Sequence, residues 1–284
     1  MTGQVSLTVI GSVNLDLVAK GAVLPAPGQT VTDAFYAEYP GGKGANQALA
    51  AKRLGADVRL IGRTGDDSNA DAALSLLTLE GVNIEDCKRL NTHPTGVALI
   101  AVSADGENQI IVAPGANSQL APADVPLITS EATLSVLEVP IPTIQHAAEQ
   151  SKGLFAVNLA PALPVPDDLI RESDLIIVNE GEAEFYGDQL NLCDGIVAIT
   201  YGADGAAIFK NGDKMASAKP PTITVADTTG AGDTFCAALM IALCRGMSET
   251  AALQFSCAAG ALTATRHGAQ PSFPTGEELA ELSY

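Results

Sequence analysis

The chain has 284 residues, 47% of them hydrophobic, enough for one large core or one core with a small appendage. Its formal net charge of −18 repels phosphate backbones and anionic lipid, so neither nucleic acid nor a membrane surface is an expected partner, while one local cationic site stays possible. No apolar run approaches the ~20 residues of a membrane helix, and Met1-Thr2-Gly3-Gln4 opens without a basic stretch leading into a long apolar region, so a cytoplasmic location is expected.

In chain order, residues 5–11 read as a first buried strand and 46–54 as a helix stopped by Gly55 at its C-terminal cap. A strand follows at 58–61, then a helix over 70–79 ending at Gly81. Further strands are expected at 133–137, 154–159, 174–178 and 196–200. Such alternation implies an α/β fold, a mainly parallel central sheet flanked by helices on both faces. Two regions break the rhythm. Residues 16–19 and 31–39 alternate with no helix between them, and 95–112 reads as a hairpin turning at Asp105-Gly106. They leave no room for a crossover helix. They predict a small antiparallel β lid, its strands within about 13–40 and 95–112, serving as a cover or as a surface for a second subunit. Another hairpin turn falls at Asn211-Gly212, and a long helix pair spans 232–245 and 249–265.

The five cysteines (Cys87, Cys193, Cys236, Cys244, Cys257) show no CxxC spacing, and the histidines, His93, His146 and His267, lie far apart. Neither set reads as a disulfide framework or a zinc site.

The most informative segment is Asp227-Thr-Thr-Gly-Ala-Gly-Asp233-Thr-Phe, which follows a strand-like run and opens an apolar helix. Gly230 and Gly232 let the backbone turn sharply and approach a ligand closely. The N–H groups from Gly230 through Ala231 and Gly232 to Asp233 then form an anion hole for a phosphate oxygen or a developing charge. Asp233 itself has two readings. In the first turn a carboxylate caps the helix, worth ~1 kcal/mol. Beside an anion hole it also serves as the base that takes a hydroxyl proton. Spacing alone leaves both open.

This segment resembles the C-terminal signature of the ribokinase (phosphofructokinase-B-type) carbohydrate kinases, and Gly41-Gly42-Lys43-Gly44-Ala45-Asn46 resembles their N-terminal signature. Other elements match in family order: Gly11-Ser-Val-Asn14-Leu-Asp16, Thr95-Gly-Val-Ala-Leu-Ile100, Gly115-Ala-Asn117, Asn179-Glu-Gly-Glu182-Ala-Glu184 and Arg266-His-Gly-Ala-Gln-Pro-Ser272. The resemblance runs from Val9 to about Pro274 and implies a single ribokinase-like domain over 1–284. It implies ATP-dependent phosphorylation of D-ribose at its primary (5-) hydroxyl, with Asp233 as general base. A deoxyribose, ketose or nucleoside kinase of the same family, or a non-catalytic sugar-binding protein, is the alternative.

The resemblance also assigns roles by position. Asn14 and Asp16 would bond sugar hydroxyls from the lid side, with Gly42, Lys43 and Asn46 lining the other side. Glu138, at the C-terminal end of its strand, would contact the sugar as well. Asn179 and Glu182 would hold Mg²⁺ and phosphate largely through water. Thr200, Gly202 and Gly205 would form the nucleotide loop, with Gly232 and Cys257 also against ATP. Asp227, Thr229, Thr263, Arg266, Gly268 and Ser272 would supply mostly backbone oxygens to K⁺, Arg266 as a direct charge being the competing view. A homodimer through the lid strands is implied too. Two departures stand out. The stretch between Glu184 and Gly195 is shorter than in the family, leaving one sheet face less covered or covered by a partner. Cys257 stands where relatives often carry a polar residue or His near the adenine.

Other classes lack their marks. After the first strand, where a dinucleotide fold has GxGxxG, the chain reads Gly11-Ser-Val-Asn14. Gly42-Lys43 runs into Gly44 rather than the Ser or Thr of a P-loop, and the GxSxG of a serine hydrolase is missing.

Overall fold

The computed structural model describes residues 4–282; residues 1–3, on which the reading of the N-terminus partly rests, lie outside them. The chain passes from β1 (Ser6–Ile10) into β2 (Asn14–Lys20), then β3 (Phe35–Gly41) and α1 (Lys43–Arg53). β4 (Asp57–Gly65), α2 (Ser68–Leu79) and β5 (Asn83–Leu90) follow, then the hairpin β6 (Gly96–Val102) and β7 (Asn108–Ala113). The second half alternates β8 (Ala132–Val136), α3 (Ile141–Gln150), β9 (Leu154–Asn158), α4 (Asp167–Arg171), β10 (Leu175–Asn179), α5 (Glu180–Tyr186) and β11 (Ile196–Thr200). The hairpin β12 (Ala206–Lys210) and β13 (Asp213–Ala218) precedes α6 (Ala231–Cys244), α7 (Glu249–Ala264) and α8 (Gly276–Ala280).

The core sheet runs β13-β12-β11-β10-β9-β8-β1-β4-β5, parallel from β11 to β5 with an antiparallel hairpin at one edge. Its inner strands β1, β8, β9 and β10 are buried on both faces, which is why they read as short, largely apolar runs. In β10, Leu175 and Ile177 join the core under α1, α6 and α7, while Ile176 and Val178 join the opposite core with Ile144 and Leu169. α6 is buried from Thr234 through Ala242, as expected of a helix apolar on all sides. Strand order reverses between β1 and β8, and at such a switch point the C-terminal strand ends open a crevice.

The lid is the second sheet, β3-β2-β6-β7. β2–β3 and β6–β7 pair antiparallel as expected, but they are joined through a parallel β2–β6 pair, with Asn14 opposite Gly96. Both strands leave the core sheet where β1 and β5 end, so they set off in the same direction. β3 starts only at Phe35, opposite Lys20, because β2 ends there and residues 31–34 have no strand to pair with. β5 was not expected from the sequence. Its side chains, Asn-Ile-Glu-Asp-Cys-Lys-Arg-Leu, are those of a charged edge strand.

Candidate active site

Two glycine-rich segments meet at the switch point. α1 starts against the backbone of the β1–β2 turn, where a Cβ on Gly44 would lie 2.5 Å from the Gly11 carbonyl carbon. Ala45 N–H donates to the Ser12 carbonyl at 2.9 Å. α6 starts at Gly230, whose φ of 79° lies in the left-handed region; an added Cβ would sit 2.6 Å from the Phe273 ring. The Ala231 N–H turns back to the Thr228 carbonyl (3.2 Å), while the N–H groups of Gly232 and Asp233 have no acceptor among the described residues. Two outward donors at a helix N-terminus suit an anion.

α1 packs on α6 and delivers two amides to one carboxylate. Asn46 Nδ2 donates to Asp233 Oδ2 at 2.9 Å, and Gln47 Nε2 donates to Asp233 Oδ1 at 3.2 Å. No backbone N–H donates to Asp233 among the described residues, so it does not cap α6. Burial raises its pKa to about 6, against Lys43 and Asn46, which lower it; Glu138 pushes it up and Gln47 down. Such a carboxylate is ionised at neutral pH yet more basic than a free one.

Asp16, on β2, faces the same space and has no hydrogen-bond partner among the described residues. Burial first, and then the neighbouring Glu138, lift its pKa to about 7, with Lys43 opposing and Asp233 adding to the rise. Lys43 Nζ stands 3.1 Å from Glu138 Oε1. Burial works against its charge, but Glu138, Asp233 and Glu182 hold its pKa above that of free lysine. Glu138 Oε2 accepts from the Ser12 hydroxyl and, at 3.0 Å, from the Lys43 N–H. Glu138 Oε2 therefore ties the β1–β2 turn to the start of α1, and Oε1 holds the Lys43 ammonium. Asn14 is buried, and its Oδ1 accepts from Asn117 Nδ2 at 2.8 Å; Asn117 Oδ1 in turn accepts from Val13 N–H at 2.9 Å.

A cavity of about 620 Å³ lies beside the N-terminus of α6. Of the residues expected against ATP, Thr200, Gly202, Gly205, Gly232 and Cys257 all line it. Much of its remaining wall is the stretch 219–225 with Phe235 and Ala261, largely apolar surface of the kind that suits a flat ring. Asn179 stands outside the wall, next to Thr200 across β10–β11. It caps α5: its Oδ1 accepts from Glu182 N–H and Glu182 Oε2 accepts from its own N–H, both at 2.8 Å.

Of the six residues expected around K⁺, Asp227, Thr229 and Gly268 come together: Asp227 Oδ1 accepts from Thr229 N–H and Oδ2 from Gly268 N–H, both at 2.9 Å. Thr263 Oγ1 donates instead to Thr234 Oγ1 (2.9 Å) and Ser272 Oγ to the Ala269 carbonyl (2.6 Å). Arg266 pairs with Glu278 at 2.6 Å, so its charge is held at α8. The shortened stretch forms a single 3₁₀ helix over Gly187–Leu192, above a hollow of about 190 Å³ lined by Leu190, Val197 and Phe209.

The sequence reading missed Gln47, Ser12, the role of Asn117 and the 219–225 wall. Ser12 and Asn117 lay within matched motifs and Gln47 directly follows one, so all three had a signal. The wall had none.

Residues 4–276 match the model of the pfkB family of carbohydrate kinases. The chain belongs to this family. It is 36% identical to the ribokinase of Haemophilus influenzae over 98% of each chain. Among solved structures, that of ribokinase from Thermotoga maritima superposes with a TM-score of 0.89 at 30% identity, covering 97% of this chain and 98% of that one. Arabidopsis thaliana ribokinase, complexed with ribose and ATP, superposes with a TM-score of 0.86 at 27% identity, covering 99% and 100%. As a pfkB family member, the chain is an ATP-dependent sugar kinase.

Proposed function

We propose that this kinase transfers the γ-phosphoryl group of ATP to the primary (5-) hydroxyl of D-ribose, giving ribose 5-phosphate. The observation that carries this is the Asp233 carboxylate, held by two amides beside a helix N-terminus with free N–H donors and a nucleotide-sized cavity. Asp233 takes the hydroxyl proton, and the sugar oxygen displaces ADP from the γ-phosphorus in line. The N–H groups of Gly232 and Asp233 stabilise charge on the transferring oxygens. Asn14 and Asp16 bind sugar hydroxyls from the lid, Gly42, Lys43 and Asn46 from α1, and Glu138 keeps Lys43 and the β1–β2 turn in place. An ADP-release assay across pentoses, ketohexoses and nucleosides tests the substrate. D-ribose should show the highest kcat/KM; a nucleoside or 2-deoxyribose ahead of it would overturn the ribose reading.

Mg²⁺ fits beside Glu182, whose Oε1 has no partner among the described residues; the ion would neutralise the phosphates, held largely through water. K⁺ fits beside Asp227. The carbonyl oxygens of Asp227, Thr229, Gly268 and Ser272 accept no hydrogen bond among the described residues, whereas that of Thr263 takes the Arg266 N–H. Such carbonyls need a partner, and a weakly hydrated cation serves. Adding KCl to enzyme assayed in tetramethylammonium buffer at constant ionic strength should therefore raise kcat more than NaCl does. An unchanged rate would remove this site.

The lid carries exposed apolar side chains, Phe35 at 79%, Ile111 at 68% and Leu99 at 47% exposure. A small sheet cannot bury both faces alone. A homodimer through the lid strands would cover them, and light scattering should give twice the chain mass at micromolar concentration. A monomer there would overturn the dimer. A cytoplasmic setting suits a kinase of free sugar and ATP, and no helix among the described residues is long and apolar enough to cross a membrane.

A further inference from the structure

We infer that Gln47 is a positioning residue for the base: its Nε2 pins Oδ1 of Asp233, leaving Oδ2, from which Asn46 turns to the sugar, as the oxygen that takes the hydroxyl proton. The inference rests on the kinase reading above. Gln47 is fully buried, and its only side-chain hydrogen bond among the described residues goes to Asp233, at 3.2 Å. Its Oε1 is buried with no partner. A buried amide with its acceptor unmet is a poor choice for the core, where an apolar residue of the same length would be more stable. Its neighbours on the buried side of α1 are Ala45, Ala48 and Leu49, apolar as a core requires. What distinguishes position 47 is the carboxylate it reaches.

Successive helix residues point about 100° apart, so Asn46 and Gln47 approach Asp233 from two sides and take different oxygens. Asn46 retains slight exposure, 6% against 0% for Gln47, and its own Oδ1 also lacks a partner. Asn46 is thus the amide able to change partners when a sugar arrives, and Gln47 the one that stays. The charged and titratable groups around Asp233 are Lys43 on α1, Glu138 beyond β8, Asp16 on β2 and Cys236 on α6, with Glu182 on α5 reaching it through Lys43. The one cation among them, Lys43, is engaged with Glu138. Lys43 does most to keep this carboxylate ionised, and the amides of Asn46 and Gln47 add to it, since a donor to the ionised form lowers the pKa.

Two variants test this, Gln47→Met, which keeps the length and loses the donor, and Gln47→Glu, which adds a second acid. With ribose and ATP saturating, the acid limb of kcat against pH should move up by about half a unit to one unit in the Met variant, and further in the Glu variant. The Met variant should lose about two- to fivefold in kcat near pH 6 and much less above pH 8. Its ribose KM should change less than twofold and its Tm should hold or rise. An unmoved limb, or a kcat loss uniform across pH with a lowered Tm, would overturn the assignment in favour of a structural role. If the Met variant does not fold, the Glu variant decides alone. NMR titration of the Asp233 carboxyl carbon in the free protein follows the same shift without turnover. Failure of the inference is therefore separable from failure of the kinase reading, which would show as wild-type enzyme inactive on every sugar.

Discussion

Replacing Asp233 by Asn should lower turnover by about 10²–10⁴-fold, the usual loss when a general base is removed, while sugar and ATP still bind. The fold has the means to accept the change. An Asn side chain presents one oxygen and one NH₂ where the carboxylate presented two acceptors. One amide of α1 can keep donating to the oxygen. The other can rotate, because Asn46 Oδ1 and Gln47 Oε1 are both buried without a partner and either can accept from the new NH₂. The half-buried carboxylate whose ionisation burial opposed is also gone. Tm should therefore stay within a few degrees of wild type. Had Asp233 been a helix cap, the outcome would be different: Asn caps about as well as Asp, and turnover would survive. Steady-state kinetics together with calorimetric titration of ribose separate the two. Near-normal kcat in the variant would remove Asp233 from the chemistry.

The core of the fold was readable because burial writes itself into the sequence. β8, β9, β10 and β11 are largely buried on both faces, so short, mostly apolar runs between helical stretches mark them within a residue or two. β5 was invisible for the converse reason, since a strand at the edge of the sheet exposes charged side chains and shows no period. The parallel pairing of β2 with β6 is a matter of where each strand departs from the core sheet, which local pattern does not encode. The glycine-rich segments announced themselves through the backbone freedom they need. Their meeting did not, because Asn46 and Asp233 are 187 residues apart in the chain. Spacing left Asp233 open between cap and base, and it is the two amides on its oxygens, with no backbone donor, that removed the cap. The wall at 219–225 carries Lys-Pro-Pro-Thr-Ile-Thr-Val, whose Thr-Ile-Thr-Val alternation reads as a strand, yet it forms none and lines the cavity instead, a place the local pattern does not encode.

Asp16→Ala should raise the ribose KM at least tenfold, each tenfold corresponding to about 1.4 kcal/mol of lost binding, with a smaller effect on kcat. Asp16 has no partner of its own among the described residues, and burial together with Glu138 leaves its carboxyl at a pKa of about 7. A carboxylate that no protein group satisfies is completed by hydroxyl donors, and a ligand lacking them leaves it unpaired. The sign of the pH dependence follows. Hydroxyls donate to the ionised form, so binding favours it, and the wild-type ribose KM should rise as pH falls below about 7. Asp16→Ala should flatten that rise. Stability should move in the opposite direction. The folded-state pKa of Asp16 is raised from 3.8 to about 7, so the native state holds this proton more tightly than the unfolded chain. Its contribution to stability is then greatest at low pH and declines as pH rises from about 4 to 7. Above that window the variant, freed of an ionised group facing Glu138 and Asp233, should be at least as stable as wild type. A variant whose ribose KM changes less than threefold, or whose KM keeps the wild-type pH profile, would show that the sugar does not bind through Asp16.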